Sequence, residues 1–282
     1  MKFSLILPIC MILFVIAGIA GCLQNEEIMS PPKASINPDH GAMAKTLATM
    51  QDDIVAAIIR LDKETGSSAI KLGKSGLSGD AANSILARLA ASDPAILTAI
   101  TFDRNGTVRA AAPLEARVLI GENLGNQTVV QDLFARNQPL MSDLFPLAQG
   151  GYGSVIEYPV YSEEGQVIGA VSITFSPDVL IAPYAESATE GTRYSAMVAQ
   201  TDGRVLYDPD PEEVGRETFN ESLYAEFPEI LEFARQYSGN KSGYATYSFY
   251  DTGFGNIVNK EAFWTTIGIH GTEWRLIIIR EI

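Results

Sequence analysis

Apolar residues spaced three and four apart open the folded part of this chain. The positions with this spacing are Met43, Leu47, Met50, Ile54, Ile58 and Leu61. Such spacing places side chains on one face of an α-helix, so we predict a helix of about five turns that ends at Gly66 in a loop rich in Ser and Gly. A second helix is predicted from Asp80, as its N-cap, through Ala91, because apolar residues recur there with helical spacing.

From residue 95 the pattern changes to alternation and to continuous apolar runs, which are typical of β-strands. The predicted strands are 97–102, 107–112, 154–161 and 167–175 in the first half, and 194–200, 204–207, 243–250, 263–270 and 274–280 in the second. Helices are predicted over 128–136 and 222–236, and a linker over 176–191. Trp274 is predicted to be a core aromatic residue. Short turns between successive strands favour antiparallel sheets flanked by helices, an α+β class, over a Rossmann-type fold.

Two well-separated stretches share one pattern. FDRNGTVRAAAP (102–113) and VAQTDGRVLYDPDP (198–211) each consist of an apolar run, a turn containing glycine, a second apolar run and proline. Each is followed by a β-branched residue and a glycine, Ile120-Gly121 in the first case and Val214-Gly215 in the second. Asn-Gly and Asp-Gly are typical of tight hairpin turns. The repetition predicts two tandem units built on the same plan.

The N-terminus has the features of an export signal. One lysine precedes an apolar stretch over 5–19, and small residues follow. The quartet IAGC (19–22) resembles the lipobox of prokaryotic lipoproteins, which implies that its cysteine, Cys22, is lipidated. We therefore predict a lipoprotein signal peptide over 1–22, a flexible spacer over 23–40, and an exported protein anchored through lipid on the outer face of the cytoplasmic membrane. The alternative is an uncleaved transmembrane anchor, since the apolar stretch approaches the ~20 residues of a spanning helix.

Composition excludes several functions. The net charge is −14 and no basic stripe occurs, so nucleic-acid binding is excluded. Both cysteines lie in the N-terminal segment, which leaves no disulfide framework. The two histidines, His40 and His270, are far apart, and we interpret the acidic run 208–213 as a solvated turn because it lacks the spacing of a calcium loop. We predict no metal site, no cofactor and, without a nucleophile elbow or phosphate loop, no enzymatic activity.

Several stretches, taken in order, resemble a known family. DRNGTV, then IGEN (120–123), then PVYSEEGQVIGAVSITF (159–175) resembles the first module of an extracellular double Cache sensor. QTDGRVLYDPDPEEVGRETF (200–219) and WTTIGIHGTEWRLIII (264–279) are similar to its second module. The resemblance implies a long N-terminal helix followed by two tandem PAS-like modules, each an antiparallel sheet flanked by helices. We place the N-terminal helices and the membrane-distal module at 41–185 and the membrane-proximal module at 186–282.

The resemblance also implies a small-molecule pocket in the distal module. Many carboxylate-binding members carry an Arg-x-Tyr-Phe element there, and in the matching stretch, 131–134, only the phenylalanine agrees. Without the arginine that would clamp a carboxylate, the nearby side chains favour an amine, a polyol or a heterocycle over a simple carboxylate. The candidate ligand-binding residues are Asp132, Phe134, Met141, Ser142, Asp143, Tyr152, Tyr158 and Tyr161. The alternative is that they are surface, capping or sheet-edge residues.

Together these inferences predict a lipid-anchored, extracytoplasmic binding protein. Because the sequence ends at Ile282, next to the last predicted strand, we expect the binding signal to pass to a membrane sensor kinase, a chemoreceptor or a transporter. The chain would then act as a ligand-capture or co-sensor subunit. The alternative is a structural or surface-interaction module with degenerate pockets, and an undetected hydrolase is the least favoured reading.

Overall fold

A long helix and two antiparallel sheets make up the part of the chain that the structure describes. The computed structural model describes residues 38–147, 150–251 and 255–282. The predicted signal peptide with Cys22, and the predicted spacer up to residue 37, lie outside the described residues. Within the described ranges, none of the helices is at once long and apolar enough to cross a membrane.

Helix α1, Pro38–Ser75, is longer than its sequence pattern predicts. It continues through Gly66, so the predicted end of the helix there is wrong. A Cβ atom at Gly66 would lie 3.0 Å from the ring of Tyr158, and one at Gly73 would collide with the carbonyl oxygen of Tyr161. These glycines therefore let a strand pass close to the helix instead of ending it.

Helix α1 ends before Gly76, whose φ is +85°. Glycine adopts this left-handed conformation without a steric penalty, and its N–H donates to the carbonyl oxygen of Leu72 at 2.8 Å. All six apolar positions that predicted the helix are buried, so the predicted inner face is confirmed.

The first module follows α1 and contains the first sheet. Its elements are α2 (Asp80–Ala90), β1 (Ile96–Asp103), β2 (Val108–Ala112), a 3₁₀ helix (Leu114–Leu119), α3 (Thr128–Arg136), β3 (Leu140–Met141), β4 (Phe145–Pro146), β5 (Tyr152–Tyr161) and β6 (Val167–Phe175). The sheet is antiparallel with the order β2-β1-β6-β5-β3, and β4 pairs with β5. The four longer strands and both helices occur where they were predicted, except that Gly79 and not Asp80 is the N-cap of α2.

Helix α4, Pro177–Thr189, occupies the stretch predicted as a linker. The linker prediction is wrong because Leu180, Ile181 and Ala185 are buried in the core, which stabilises a helix that its interior Pro183 disfavours. The other proline of this helix, Pro177, lies in the first turn, where its missing N–H costs no hydrogen bond.

The second module contains the second sheet. Its elements are β7 (Tyr194–Gln200), β8 (Val205–Tyr207), α5 (Glu221–Tyr224), α6 (Pro228–Gly239), β9 (Gly243–Tyr250), β10 (Ile257–Ile267) and β11 (Trp274–Glu281). The single helix predicted over 222–236 is wrong, since Pro228 starts a second helix. Strand β10 also lies earlier than predicted, because Gly268 and His270 adopt positive φ angles that end it. The antiparallel order β8-β7-β11-β10-β9 repeats the plan of the first sheet.

The two repeated sequence stretches form equivalent hydrogen bonds between a glycine and the second strand of the hairpin. Gly121 donates its N–H to the carbonyl oxygen of Val108 at 3.0 Å, and Gly215 donates to Val205 at 2.8 Å. Each glycine follows its hairpin and lies beside the second strand of its sheet. This equivalence and the shared strand order confirm the predicted α+β fold of two PAS-like modules.

Helix α1 lies against both modules and joins their cores. Its buried side chains share one hydrophobic cluster with residues of β5, β6, α4 and β11. Trp274 is fully buried in this cluster, as predicted, with its ring centroid 6.4 Å from that of Phe175.

Candidate ligand-binding site

Each sheet has one face toward α1 and an outer face turned away from it. In β11, Trp274, Leu276 and Ile278 belong to the cluster around α1, whereas Ile277 and Ile279 belong to the cluster formed with α6. This alternation is that of a strand buried on both sides. The two outer faces differ, and the difference decides where a ligand has space.

Helix α3 covers the outer face of the first sheet, where apolar side chains form a separate packed cluster. Its buried members are Ile100, Phe102, Val108, Ala111, Ala116, Val130, Leu133, Leu140 and Ala170. Phe134 packs against this cluster, with its ring centroid 5.9 Å from that of Phe102 at an angle of 84°. The outer face of the first module is thus a small hydrophobic core.

One ionisable group is buried on this outer face. Glu157 is 3% exposed and its Oε2 atom has no hydrogen-bond partner. Burial raises the pKa of its carboxyl to about 7, against an opposing hydrogen bond with Ser172. A carboxyl in this setting is mainly neutral below about pH 7 and ionises above it.

The outer face of the second sheet borders a cavity of about 590 Å³. This volume lies within the range of about 300–1,000 Å³ that is usual for small-molecule sites. The cavity is bounded by the sheet, by the segment 208–213 and by helices α5 and α6. Its aromatic lining consists of Tyr194, Tyr224, Phe233, Tyr237, Tyr247, Phe249 and Tyr250.

Asp208 supplies a partly buried carboxyl to the cavity, directly after β8. Its Oδ1 atom accepts the backbone N–H of Asp210 at 2.9 Å. The pKa of Asp208 is raised to about 7, mainly by burial and also by the neighbouring carboxyls of Glu213 and Asp210, against the opposing effects of the Asp210 N–H and of Lys260. On the facing strand β10, burial lowers the pKa of Lys260, whose Nζ lies 6.0 Å from the ring centroid of Phe249.

Two other acidic residues on the lining are engaged by the protein itself. Glu213 forms an ion pair with Arg216 at 2.6 Å. Asp251 accepts the backbone N–H groups of Gly255 at 2.7 Å and Asn256 at 3.1 Å. These carboxyls therefore stabilise the loops around the cavity.

Tyr247 combines a packed ring with a hydroxyl that has no protein partner. Its ring stacks on Phe233 with centroids 4.4 Å apart and an angle of 8°. The residue is 5% exposed and lines the cavity, and none of the hydrogen bonds among the described residues involves its hydroxyl. Water or a ligand in the cavity can supply the hydrogen-bond partner that such a buried hydroxyl usually has.

The structure does not bring the eight residues predicted from the sequence into one pocket. Asp132 lies on the exposed side of α3, with its carboxylate 3.5 Å from Arg136, while Phe134 packs on the first outer face. Tyr158 and Tyr161 border a groove of about 530 Å³ along α1. The Tyr158 hydroxyl donates to Asp62 at 2.7 Å, and the Tyr161 hydroxyl donates to the carbonyl oxygen of Asn137 at 3.0 Å.

The other predicted residues lie in the segment next to the second module. The carbonyl oxygen of Met141 accepts the Thr272 hydroxyl at 2.6 Å. The Ser142 hydroxyl donates to the carbonyl oxygen of Asp143 at 2.8 Å. Tyr152 packs against Gly215, and the guanidinium of Arg204 lies 5.9 Å from its ring centroid. Met141 and Tyr152 thus contact the second module, and Ser142 fixes the local backbone. Ligand contact by any of the eight residues stays a prediction.

The sequence reasoning missed the second-module cavity. It interpreted 208–213 as a solvated turn, whereas the structure places three of its acidic residues on the cavity lining. The available signal was the aromatic run YSFY (247–250), of which Tyr247, Phe249 and Tyr250 line the same cavity as Asp208.

Comparisons with known proteins agree with this architecture. The family described as "HK/GC/Chemotaxis protein-like, sensor domain" matches residues 56–177. A solved extracellular ligand binding receptor from Desulfohalobium retbaense is 26% identical with a TM-score of 0.70, covering 84% of this chain and 40% of that one. The chain therefore spans two-fifths of that receptor's length. A comparison with curated proteins gave no match.

Two chemoreceptor domains have the same fold at lower identity. The ligand-binding domain of Pseudomonas fluorescens CtaA, solved with L-serine, has a TM-score of 0.63 and 15% identity over 87% of this chain and 99% of that one. That of Pseudomonas aeruginosa PctB, solved with L-Gln, has a TM-score of 0.58 and 17% identity over 86% and 89%. The chain therefore has the Cache-type fold of two PAS-like modules, and its residues 56–177 match the family of HK/GC/chemotaxis sensor domains.

Proposed function

We propose that this protein is an extracytoplasmic ligand-capture or co-sensor subunit that binds a small molecule in the cavity of its second module. The observation that carries the proposal is the aromatic-lined space of about 590 Å³ on the second outer face, set against the packed apolar cluster on the first. The lipobox-like quartet 19–22 supports tethering to the outer face of the cytoplasmic membrane through Cys22. Its partner would be a membrane sensor kinase, a chemoreceptor or a transporter.

The ligand we propose is an amine, a polyol or a heterocycle in preference to a simple carboxylate. CtaA and PctB were solved with amino acids, which carry both an ammonium and a carboxylate group. The cavity here offers four carboxyl side chains and one lysine among its described lining residues. That charge balance favours the cationic end of such molecules.

The proposal is tested by detecting a ligand that co-purifies with the protein or that binds when it is added. The full chain, extracted in detergent, would be studied by native mass spectrometry and by thermal denaturation against a panel of amines, polyols, nucleobases and amino acids. We expect either a co-purifying mass or a rise in melting temperature, because a ligand that binds only the folded state stabilises it. If no ligand co-purifies and no class of compound raises the melting temperature, the proposal is rejected in favour of a structural or surface-interaction module.

A further inference from the structure

We propose that the second-module cavity holds its ligand through a protonated amine, which pairs with the Asp208 carboxylate between aromatic walls. This inference rests on the proposed function and narrows the ligand class for the same cavity. It places recognition in the second module, whereas the family resemblance implied a pocket in the first.

Asp208 and Asp210 are the two lining carboxyls without an ion pair among the described residues, and of these burial raises the pKa of Asp208. Glu213 is paired with Arg216 at 2.6 Å, and Asp251 accepts two backbone N–H groups of its own loop. Asp208 accepts one N–H, from Asp210 at 2.9 Å, and among the described residues no ion pair reaches it. Lys260 lies close enough to lower the pKa of Asp208 but forms no ion pair with it, so the ammonium group of a ligand would supply a direct partner for a carboxylate that is costly to desolvate.

The aromatic walls suit the same cation. An ammonium group is attracted to the face of an aromatic ring within about 6 Å of its centroid. The Nζ atom of Lys260 lies 6.0 Å from the ring centroid of Phe249, which shows that the aromatic lining can have a cation next to it. The Tyr247 hydroxyl, buried on the same lining and free of protein hydrogen bonds among the described residues, can accept a further N–H.

Protonation of Asp208 competes with such a ligand. The ionisable groups that face it are Asp210 and Glu213 on its own segment, Lys260 on β10 and Tyr247 on β9. Burial raises the pKa of Asp208 to about 7, so below that pH the free protein holds a proton where the ammonium would bind. We expect amine affinity to fall by up to about tenfold for each pH unit below 7 and to be constant above it.

Two matched pairs of probes test the inference on the full chain by isothermal titration at about pH 8, above the pKa of Asp208. They are 2-phenylethylamine with 3-phenylpropanoate, and butylamine with pentanoate. We expect each amine to bind more tightly than its carboxylate. Asp208→Asn should weaken amine binding about tenfold or more, because asparagine is similar in size to aspartate but lacks the negative charge that pairs with the ammonium group.

Two further variants separate the site from general effects. Lys260→Met should bind the amines more tightly, because it removes a like charge from the cavity. Asp132→Asn, on the exposed side of α3 in the first module, should leave amine binding unchanged. The melting temperature of each variant shows that it folds.

The inference is overturned if the carboxylates bind as tightly as the amines, if none of the four probes binds, or if Asp208→Asn has no effect. Weaker amine binding by Lys260→Met also overturns it, because that lysine would then hold an anionic group of the ligand. A ligand found by native mass spectrometry in any of these cases leaves the proposed function standing, so the two failures are distinguishable.

Discussion

Replacing Glu157 by glutamine is expected to make the stability of this protein less dependent on pH. Burial raises the pKa of the Glu157 carboxyl from 4.5 to about 7 in the folded state. Between these two values the folded protein holds a proton that the unfolded chain has released. Raising the pH therefore favours unfolding over this window, and the loss is complete above pH 7.

The size of the effect follows from that shift. One pKa unit corresponds to about 1.4 kcal/mol, so moving from 4.5 to about 7 corresponds to roughly 3 kcal/mol of free energy of unfolding. Glutamine has nearly the same shape and cannot ionise. The stability of Glu157→Gln relative to wild type should therefore rise by roughly 3 kcal/mol between about pH 4.5 and about pH 8. The cost of burying the amide is the same at both pH values and cancels in this comparison.

Urea denaturation of the full chain at several pH values measures this difference. Glu115→Gln, at an exposed position on the 3₁₀ helix of the same module, is the matched control, and its profile should run parallel to that of wild type. Parallel profiles for Glu157→Gln and wild type would refute the reasoning, because they would mean that Glu157 is solvated or paired in the folded protein.

Three other substitutions test the fold and the anchor. Gly73→Ala should lower the free energy of unfolding by about 1–3 kcal/mol in thermal or urea denaturation, since its Cβ would collide with the carbonyl oxygen of Tyr161. Gly41→Ala on the same helix has open space and should be neutral or stabilising; equal effects of the two would contradict the close approach. Asp62→Ala should cost about 1.5–3 kcal/mol, because Asp62 accepts the Tyr158 hydroxyl at 2.7 Å and lies 2.6 Å from the His270 Nε2 atom; unchanged stability on urea denaturation would show that these bonds contribute nothing. Cys22→Ser should move the protein from the membrane fraction to the soluble fraction of fractionated cells, and its retention in the membrane would favour the uncleaved anchor.

Local sequence signals were sufficient to predict an element wherever the spacing of its apolar residues is that of a helix or a strand. The strands of the first module and helix α3 follow directly from alternation and helical spacing, and the hairpin glycines at 106 and 203 have the positive φ that their turns require. The length of α1 did not follow, because Gly66 and Gly73 are present for the passage of β5 and not for a helix end. Helix α4 was missed because its stability comes from burial of Leu180 and Ile181, which no local pattern shows.

For the candidate site, too, some features follow from the sequence and others only from the tertiary structure. The sequence by itself determined the class of fold, the doubled hairpin with its strand-closing glycines, and the charge and composition that favour a small-molecule sensor over a nucleic-acid-binding protein. Only the tertiary structure decided which outer face is packed and which is open, because that depends on how α3 and α6 dock on their sheets. Asp208 and Lys260 are separated by more than fifty residues, and only the pairing of distant strands places both on one cavity.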